Sequence, residues 1–360
     1  MFNILIKRNW IGTSIIMATF FFPLIVAAQQ DTLKYRKAEF KVAPYFSYSN
    51  TIGFGFGLIP MLSFYPSKKD SISPKSYVGI SGFYTTNKSR ALVGFANLFL
   101  DEDKWRLSVA GGISVYNFQT YFEPAEGEGL FVDYGTNSNF IAAIVKRRVA
   151  RSIFLGLGYI YQKSVTDFNN LRPEDNTTLN TLQYQIIQDK RDFVNYPRKG
   201  SMTQITFRNI PKWLGNEEPS NVIVANYNRY IGVKEMRDVV ALRFHVKAGL
   251  DDVSFQQQPV LGGVDLRGYS NGKYRGDGVM DIQGEYRWNF KNKIDMSVVG
   301  FAGLGTLYGS STSSFNWKMY PSIGAGIRYT ALKSNHLNIG LDVGVGKKDW
   351  GLYFRFNEAF

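Results

Sequence analysis

Between Pro259 and Phe290 the chain changes its pattern once. Up to Gly278 it is rich in glycine and polar residues and carries Leu266-Arg267-Gly268-Tyr269. From Met280 onward every second residue is polar. Met280, Ile282, Tyr286, Trp288 and Phe290 fall on one side of an extended strand, and Asp281, Gln283, Glu285, Arg287 and Asn289 fall on the other. A strand with an aromatic face and a charged face separates two solvents. Lipid outside and a wet lumen inside satisfy both faces, as in a transmembrane barrel.

The same alternation recurs along the chain. Extended segments are predicted near 39–50, 52–65, 76–86, 90–100, 105–119, 135–148, 153–166 and 180–189. A second set is predicted near 201–210, 220–231, 238–248, 279–290, 295–308, 320–330, 336–346 and 349–360. That is sixteen strands, an even number, as single-chain bacterial barrels have. In 238–248, Val240, Leu242, Phe244 and Val246 oppose Arg243, His245 and Lys247. In 336–346, Leu337, Ile339, Leu341, Val343 and Val345 oppose Asn338 and Asp342. In the last segment Trp350, Leu352, Phe354, Phe356 and Phe360 oppose Tyr353, Arg355 and Asn357. A soluble sandwich also alternates, but it does not bury rows of basic side chains. The fold class expected is all-β: a sixteen-stranded antiparallel transmembrane barrel. Short turns near 101–104, 149–152 and 291–294 alternate with longer connections, which places the short turns on a periplasmic side and the long loops outside. The linker 66–75 breaks this rule by its length.

Residues 1–28 read as a cleaved export signal. Lys7 and Arg8 precede the apolar run Trp10–Phe22, and Val26-Ala27-Ala28 supplies small residues for cleavage. Residues 29–37 are short, polar and expected to be disordered, and the barrel domain takes 38–360. After residue 30 no apolar run reaches the roughly eighteen residues of a membrane-spanning helix. Mean hydropathy is −0.18 and 16% of residues are aromatic, a combination that alternating strands produce because each hides its lipid face from an average.

There is no cysteine, so neither disulfides nor thiolate metal sites are expected. Net charge is +13, or +11 without Lys7 and Arg8. In an exported barrel the acidic counterparts are outer-membrane lipid headgroups and lipopolysaccharide phosphates, and nucleic acid is not expected as a partner. The alternative is that these charges are solvated loop residues. His245 and His336 are the only histidines. Ser334 precedes His336 on one strand face, but no acid completes a triad in pattern. The chain is therefore read as non-enzymatic, with no metal or cofactor.

Four segments carry a family resemblance. They are Asp189-Lys190-Arg191-Asp192 with Tyr196-Pro197-Arg198-Lys199-Gly200, Leu266-Arg267-Gly268-Tyr269, Gly284-Glu285-Tyr286, and the chain end with its terminal Phe360. In this order they resemble the BamA/TamA superfamily of outer-membrane barrels, also called the bacterial surface antigen domain. The resemblance covers about residues 39–360. It implies a cell outer membrane location in a Gram-negative bacterium and a role in outer-membrane biogenesis, inserting or translocating proteins or lipids. It also implies partners among other outer-membrane or periplasmic assembly proteins and client barrels. Two departures stand out. The family's periplasmic POTRA repeats have no counterpart before the first strand. The aromatic-x-Asp-x-Gly pattern of the thirteenth strand reads here Phe301-Ala302-Gly303-Leu304-Gly305, without the acid.

The resemblance implies a loop-to-lumen anchor. Arg267 would pair with Glu285, with Asp281 on the same face, while Gly268 allows a tight turn beside Tyr269. The alternative leaves Arg267 solvated on an exposed loop. Asp189, Arg191, Asp192, Tyr196, Pro197 and Gly200 would form a periplasmic turn network, or a plain solvated turn. Phe360 resembles the terminal aromatic that assembly machinery reads in barrel substrates. Pro44 would weaken the seam between first and last strands by removing a ladder donor. Two rival functions remain at this point. One is a passive channel for anionic solutes, with Arg243, Lys247, Arg287, Arg328 and Arg355 in the lumen. The other is a non-catalytic structural subunit of a membrane complex.

Overall fold

The computed structural model describes residues 38–360 except 50–51, 71, 123–129, 169–173, 194–195, 236, 251–252, 254–256, 264, 271–272, 291–295, 310–317, 333–336 and 357. The export segment 1–28, the segment 29–37, Ser334 and His336 lie outside the described residues.

The strands are β1 (Glu39–Ser49), β2 (Gly53–Phe64), β3 (Ser76–Thr85), β4 (Arg90–Leu100), β5 (Trp105–Phe122), β6 (Leu130–Ala150), β7 (Ile153–Asp167), β8 (Asp175–Asp189) and β9 (Gly200–Ile210). They continue with β10 (Ser220–Val233), β11 (Asp238–Gly249), β12 (Val260–Leu261), β13 (Tyr274–Arg275), β14 (Gly278–Asn289), β15 (Met296–Tyr308), β16 (Met319–Leu332), β17 (Leu337–Gly346) and β18 (Asp349–Phe356). All but β12 and β13 close into one antiparallel barrel, each strand beside its sequence neighbour and β1 beside β18. The barrel has the sixteen strands that the alternation predicts. β12 and β13 form a separate two-stranded ribbon inside the connection from β11 to β14.

Closure follows from the alternation. Each strand puts one set of side chains outward and the next inward, so one register sends a whole row of a given chemistry to one solvent. In β16, Ile323 and Ile327 are exposed on the outer wall, while Arg328 inside is 1% exposed. In β14, Ile282 and Trp288 face out, whereas Asp281, Gln283, Glu285 and Arg287 are buried inside. No helix among the described residues is long and apolar enough to cross a membrane. The crossing is by strands.

Four strand ends depart from expectation by three residues or more, the first being that of β5, which runs on to Phe122 instead of stopping near 119. β6 and β8 begin five residues earlier than their patterns suggest, at Leu130 and Asp175. Stacked aromatics account for the extension of β5 and β6: Tyr116, Phe118 and Tyr134 follow one another at centroid separations of 5.1 and 5.8 Å, and Phe168 closes the stack at 5.5 Å. The last strand stops at Phe356 instead of running to Phe360.

The long linker 66–75 also has a physical account. The Asp70 carboxylate accepts the backbone N–H groups of Ile72, Ser73 and Glu102 and the Ser73 hydroxyl. Ser73 Oγ in turn accepts the N–H of Asp103 at 2.7 Å. The linker is thus clasped onto the neighbouring turn between β4 and β5. Asp103 extends the clasp to Arg106 at 2.7 Å and to Arg148.

Candidate functional site

The long connection between β11 and β14 folds into the barrel, and its tip is completely buried. Leu266, Arg267 and Tyr269 are each 0% exposed. Leu266 and Tyr269 pack with Leu261, Val279, Leu307 and Tyr320 into one apolar cluster. The cluster gives an otherwise polar loop a reason to leave solvent.

Gly268 makes the approach possible. Its φ is +105°, a region favourable to glycine, and a Cβ there would stand 2.7 Å from the carbonyl carbon of Val345. The facing glycine matters equally, since a Cβ on Gly344 would lie 2.8 Å from the Gly268 nitrogen. Backbone therefore lies against backbone. The Gly268 N–H donates to the Tyr353 hydroxyl at 2.9 Å, Tyr269 Oη donates to the Pro321 carbonyl at 2.6 Å, and Ser322 Oγ donates to the Arg267 carbonyl. Ser270 donates from its N–H and its hydroxyl to Asp349, at 2.8 and 3.0 Å.

Arg267 sits at the centre of a buried ionic network. Its Nη1 donates to Asp342 Oδ2 at 2.8 Å. Its Nη2 lies 2.8 Å from Glu285 Oε2 but off the line of a hydrogen bond, so that contact is an ion pair without the directional component. The guanidinium also covers the Phe301 ring, 3.5 Å from its centroid. Asp342 further receives Arg355 Nε at 2.9 Å and Arg328. Glu285 receives Arg287 Nε at 2.8 Å. Glu358 receives Arg328 Nε at 3.1 Å and Asn338 Nδ2 at 2.8 Å. Four guanidiniums thus share three carboxylates from β14, β17 and the chain end. Buried charges persist where such pairing offsets their desolvation.

The chain also matches a known family. A family model described as the Omp85 superfamily domain matches residues 76–357. The chain belongs to the Omp85 superfamily. No curated protein matches its sequence. Among solved structures, BamA from Haemophilus ducreyi lacking POTRA domains 1–3 aligns with a TM-score of 0.62 at 12% identity, covering 90% of this chain and 70% of that one. CdiB from Acinetobacter baumannii aligns at 0.63 with 16% identity, covering 92% and 64%, and CdiB from Escherichia coli at 0.61 with 13% identity, covering 90% and 63%. The chain thus spans less than two thirds of the CdiB chains. This Omp85 barrel is an outer-membrane protein of a Gram-negative bacterium.

In this Omp85 barrel the residues singled out from sequence fall into three groups. Arg267, Gly268, Tyr269 and Glu285 come together as described. Asp281 does not join them. It accepts from His245 Nδ1 at 2.7 Å and from Gln283 at 3.2 Å, because the residue directly opposite it in β11 is His245, whereas Glu285 stands opposite Ala241. The missing acid of the thirteenth barrel strand, β15, is replaced by packing. Gly303 stands at that position, and a Cβ there would be 2.8 Å from Leu266 Cδ1. The second carboxylate comes from β17 as Asp342. Its alternation with Leu341 and Val343 puts it on the wet face, but nothing in the sequence joins it to Arg267.

The turn residues form a second network. Arg191 grips both oxygens of Asp189 at 2.8 Å. Asp192 Oδ1 accepts the N–H groups of Phe193, Arg198 and Lys199 at 2.9, 2.9 and 3.2 Å. Gly200 has φ +104°, with the Lys190 carbonyl where a Cβ would be. Tyr196 turns inward, where its hydroxyl accepts from Asn289 Nδ2 at 2.7 Å, and the Pro197 carbonyl faces Arg287 at 3.5 Å.

Phe360 departs from its expected place. It is not on the lipid face with Trp350, Leu352 and Phe354. It packs inside the barrel against Tyr196, Tyr230, Val239 and Ala241. Arg287 Nη2 donates to its carbonyl at 2.8 Å, and Glu358 is held as above. The inward pull on these last residues explains why β18 stops at Phe356.

Proposed function

We propose that this Omp85 barrel inserts or translocates client proteins at the outer membrane by opening the seam between β1 and β18. The observation that carries the reading is the shortness of that seam. Among the described residues, Ser47, Tyr48 and Ser49 pair with Tyr353, Leu352 and Gly351. Every residue from Glu39 to Ser49 has a partner in β2. The seam side of Glu39–Phe46 is left as an edge, and an unpaired edge is a template for another strand. Pro44 lies in this stretch and has no N–H to offer. Outside the barrel, the seam is bridged by the Tyr48–Trp350 stack at 4.7 Å and by Phe46 edge-on to Phe354 at 5.8 Å. Inside, Tyr353 and Arg355 tie β18 to the loop tip and to Asp342. A client strand would add to β1 once these ties release. Lipids and lipopolysaccharide surround the wall, and periplasmic or outer-membrane assembly proteins would deliver the client.

The channel reading is weaker. Four of the five cations invoked for an anion path, Arg243, Arg287, Arg328 and Arg355, are held by Asp265, Glu285, Asp342 and Glu358.

The chain has no cysteine, so Tyr48→Cys with Leu352→Cys introduces the sole thiols. Oxidation of this pair in a strain lacking the wild-type gene is expected to deplete several unrelated outer-membrane barrels, with recovery on reduction. The control lock Tyr48→Cys with Phe54→Cys, across β1 and β2, is expected to leave them intact. An unchanged outer-membrane proteome under the seam lock would refute the reading, and loss of anionic solute uptake alone would favour a channel.

A further inference from the structure

The basic residue left over from the lumen lies on the other side of the loop. Lys247 in β11 makes no ion pair or hydrogen bond among the described residues. It lines a cavity with Arg208 of β9, between the wall formed by β7–β11 and the inward-folded loop. Gln162 and Thr181 add polar groups, and Leu179 and Val222 add apolar ones. These four are nine-tenths or more buried. Arg208 and Lys247 are half-buried, and both line this cavity. Both side chains thus keep accessible surface at the cavity.

Among the described residues neither Arg208 nor Lys247 makes an ion pair, so their two charges lack a bound acid there. Arg208 and Arg275 both stand close enough to repel Lys247, and Asp265 is the acid that attracts it. Asp265 is already bound by Arg243 at 2.8 Å. Arg208 spends its Nε on the neutral Gln183 at 3.3 Å, which leaves its two terminal nitrogens for another acceptor. Arg275 donates to the Tyr134 hydroxyl at 3.2 Å. Confined like charges cost free energy unless an anion joins them. A planar guanidinium fork beside an ammonium is a donor set suited to phosphate. The opposite half of the same lumen pairs its arginines with carboxylates, so the surplus is local.

We propose that this cavity binds a phosphate-type anion, with Arg208 and Lys247 as its ligands, Gln162 and Thr181 as supplementary hydrogen-bonding groups, and Leu179 and Val222 accommodating any short apolar part. The site lies across the lumen from the seam, and its occupancy does not depend on the seam's opening. Two sources share this chemistry: free phosphate and a phosphate-headed amphiphile.

The test uses the full barrel in detergent micelles, with inorganic phosphate and hexyl phosphate as probes and calorimetry as the readout. Saturable binding near one per barrel is expected. The double variant Arg208→Gln with Lys247→Gln is expected to weaken it at least thirtyfold, while heat-modifiable migration on gels still reports a folded barrel. Hexyl phosphate at least tenfold tighter than phosphate identifies the amphiphile, and equal affinity identifies the free ion. Should the variant not fold, the wild-type protein decides. Either probe is expected to slow reductive methylation of Lys247, read by mass spectrometry, and not that of the exposed Lys104. Absence of saturable binding together with an unchanged Lys247 rate overturns the proposal, as does undiminished binding by the folded double variant.

Discussion

At the scale of single residues, Arg267 carries the greatest consequence. Replacing it with Ala strands Glu285 and Asp342 without one of their cations and removes the guanidinium from Phe301. Breaking such a buried pair costs about 3–5 kcal/mol, which urea unfolding of the refolded barrel would measure. Arg267→Lys is expected to recover less than half of that loss, because an ammonium cannot reach two carboxylates as a fork. Asp342→Asn is expected to destabilise more than Glu285→Gln. Asp342 receives Arg267, Arg328 and Arg355 in hydrogen-bonded geometry, whereas the contact from Arg267 to Glu285 is misaligned. Equal losses for the two neutralised acids would contradict that ranking. Gly268→Ala places a methyl group against Val345 in a left-handed conformation, a strain of order 1–3 kcal/mol. Arg267 and Glu285 were legible from sequence through their motifs. Asp342 was legible as a lumen residue and not as a partner, since the contact spans β17 and a loop seventy-five positions earlier.

At the scale of elements, the clasp between the linker 66–75 and the turn 101–104 has its own pH dependence. Partial burial alone would raise the Asp70 carboxyl, but hydrogen bonds from Ser73, Glu102 and Ile72 outweigh it and hold it at about 2. A group depressed on folding stabilises above its unfolded value, and the contribution is lost as pH falls toward the folded value. The amide resonances of Ile72, Ser73 and Glu102 are therefore expected to move together near pH 2 and not near pH 4. Asp70→Asn is expected to release the linker while leaving the ladder of β2 with β3 in place. Apart from the ends of β5 and β18 and the starts of β6 and β8, strand boundaries elsewhere were legible to within a residue or two. They were least legible at Leu130, where the strand continues into the mostly apolar run 130–134, and at Asp175, where it continues into polar residues, and neither stretch alternates.

At the scale of the whole molecule, the lumen is occupied from both ends. The loop tip packs against β14–β18, and the turn holding Tyr196 meets Phe360 at the rim where β1 begins and β18 ends. The conductance of the wild-type barrel in a planar bilayer is therefore expected to be small. Deleting 262–273 is expected to raise it severalfold and to lower resistance to urea. A wide, steady pore in the wild-type protein would contradict the packing described for the loop.

The sequence by itself determined the sixteen strands, the closed all-β architecture and which side chains face lipid. Those follow from a period-two pattern that is local, and from the requirement that every backbone polar group in a bilayer finds a partner within the protein. The tertiary structure alone decided which carboxylate meets which guanidinium, that Asp281 belongs to His245, that Phe360 turns inward, and that Lys247 makes no ion pair among the described residues. Those outcomes depend on where strands far apart in sequence place their side chains across a shared lumen. The inward period of each strand names the candidates for such contacts but not the pairs, because charge compensation is settled by distance through the barrel and not by position along the chain.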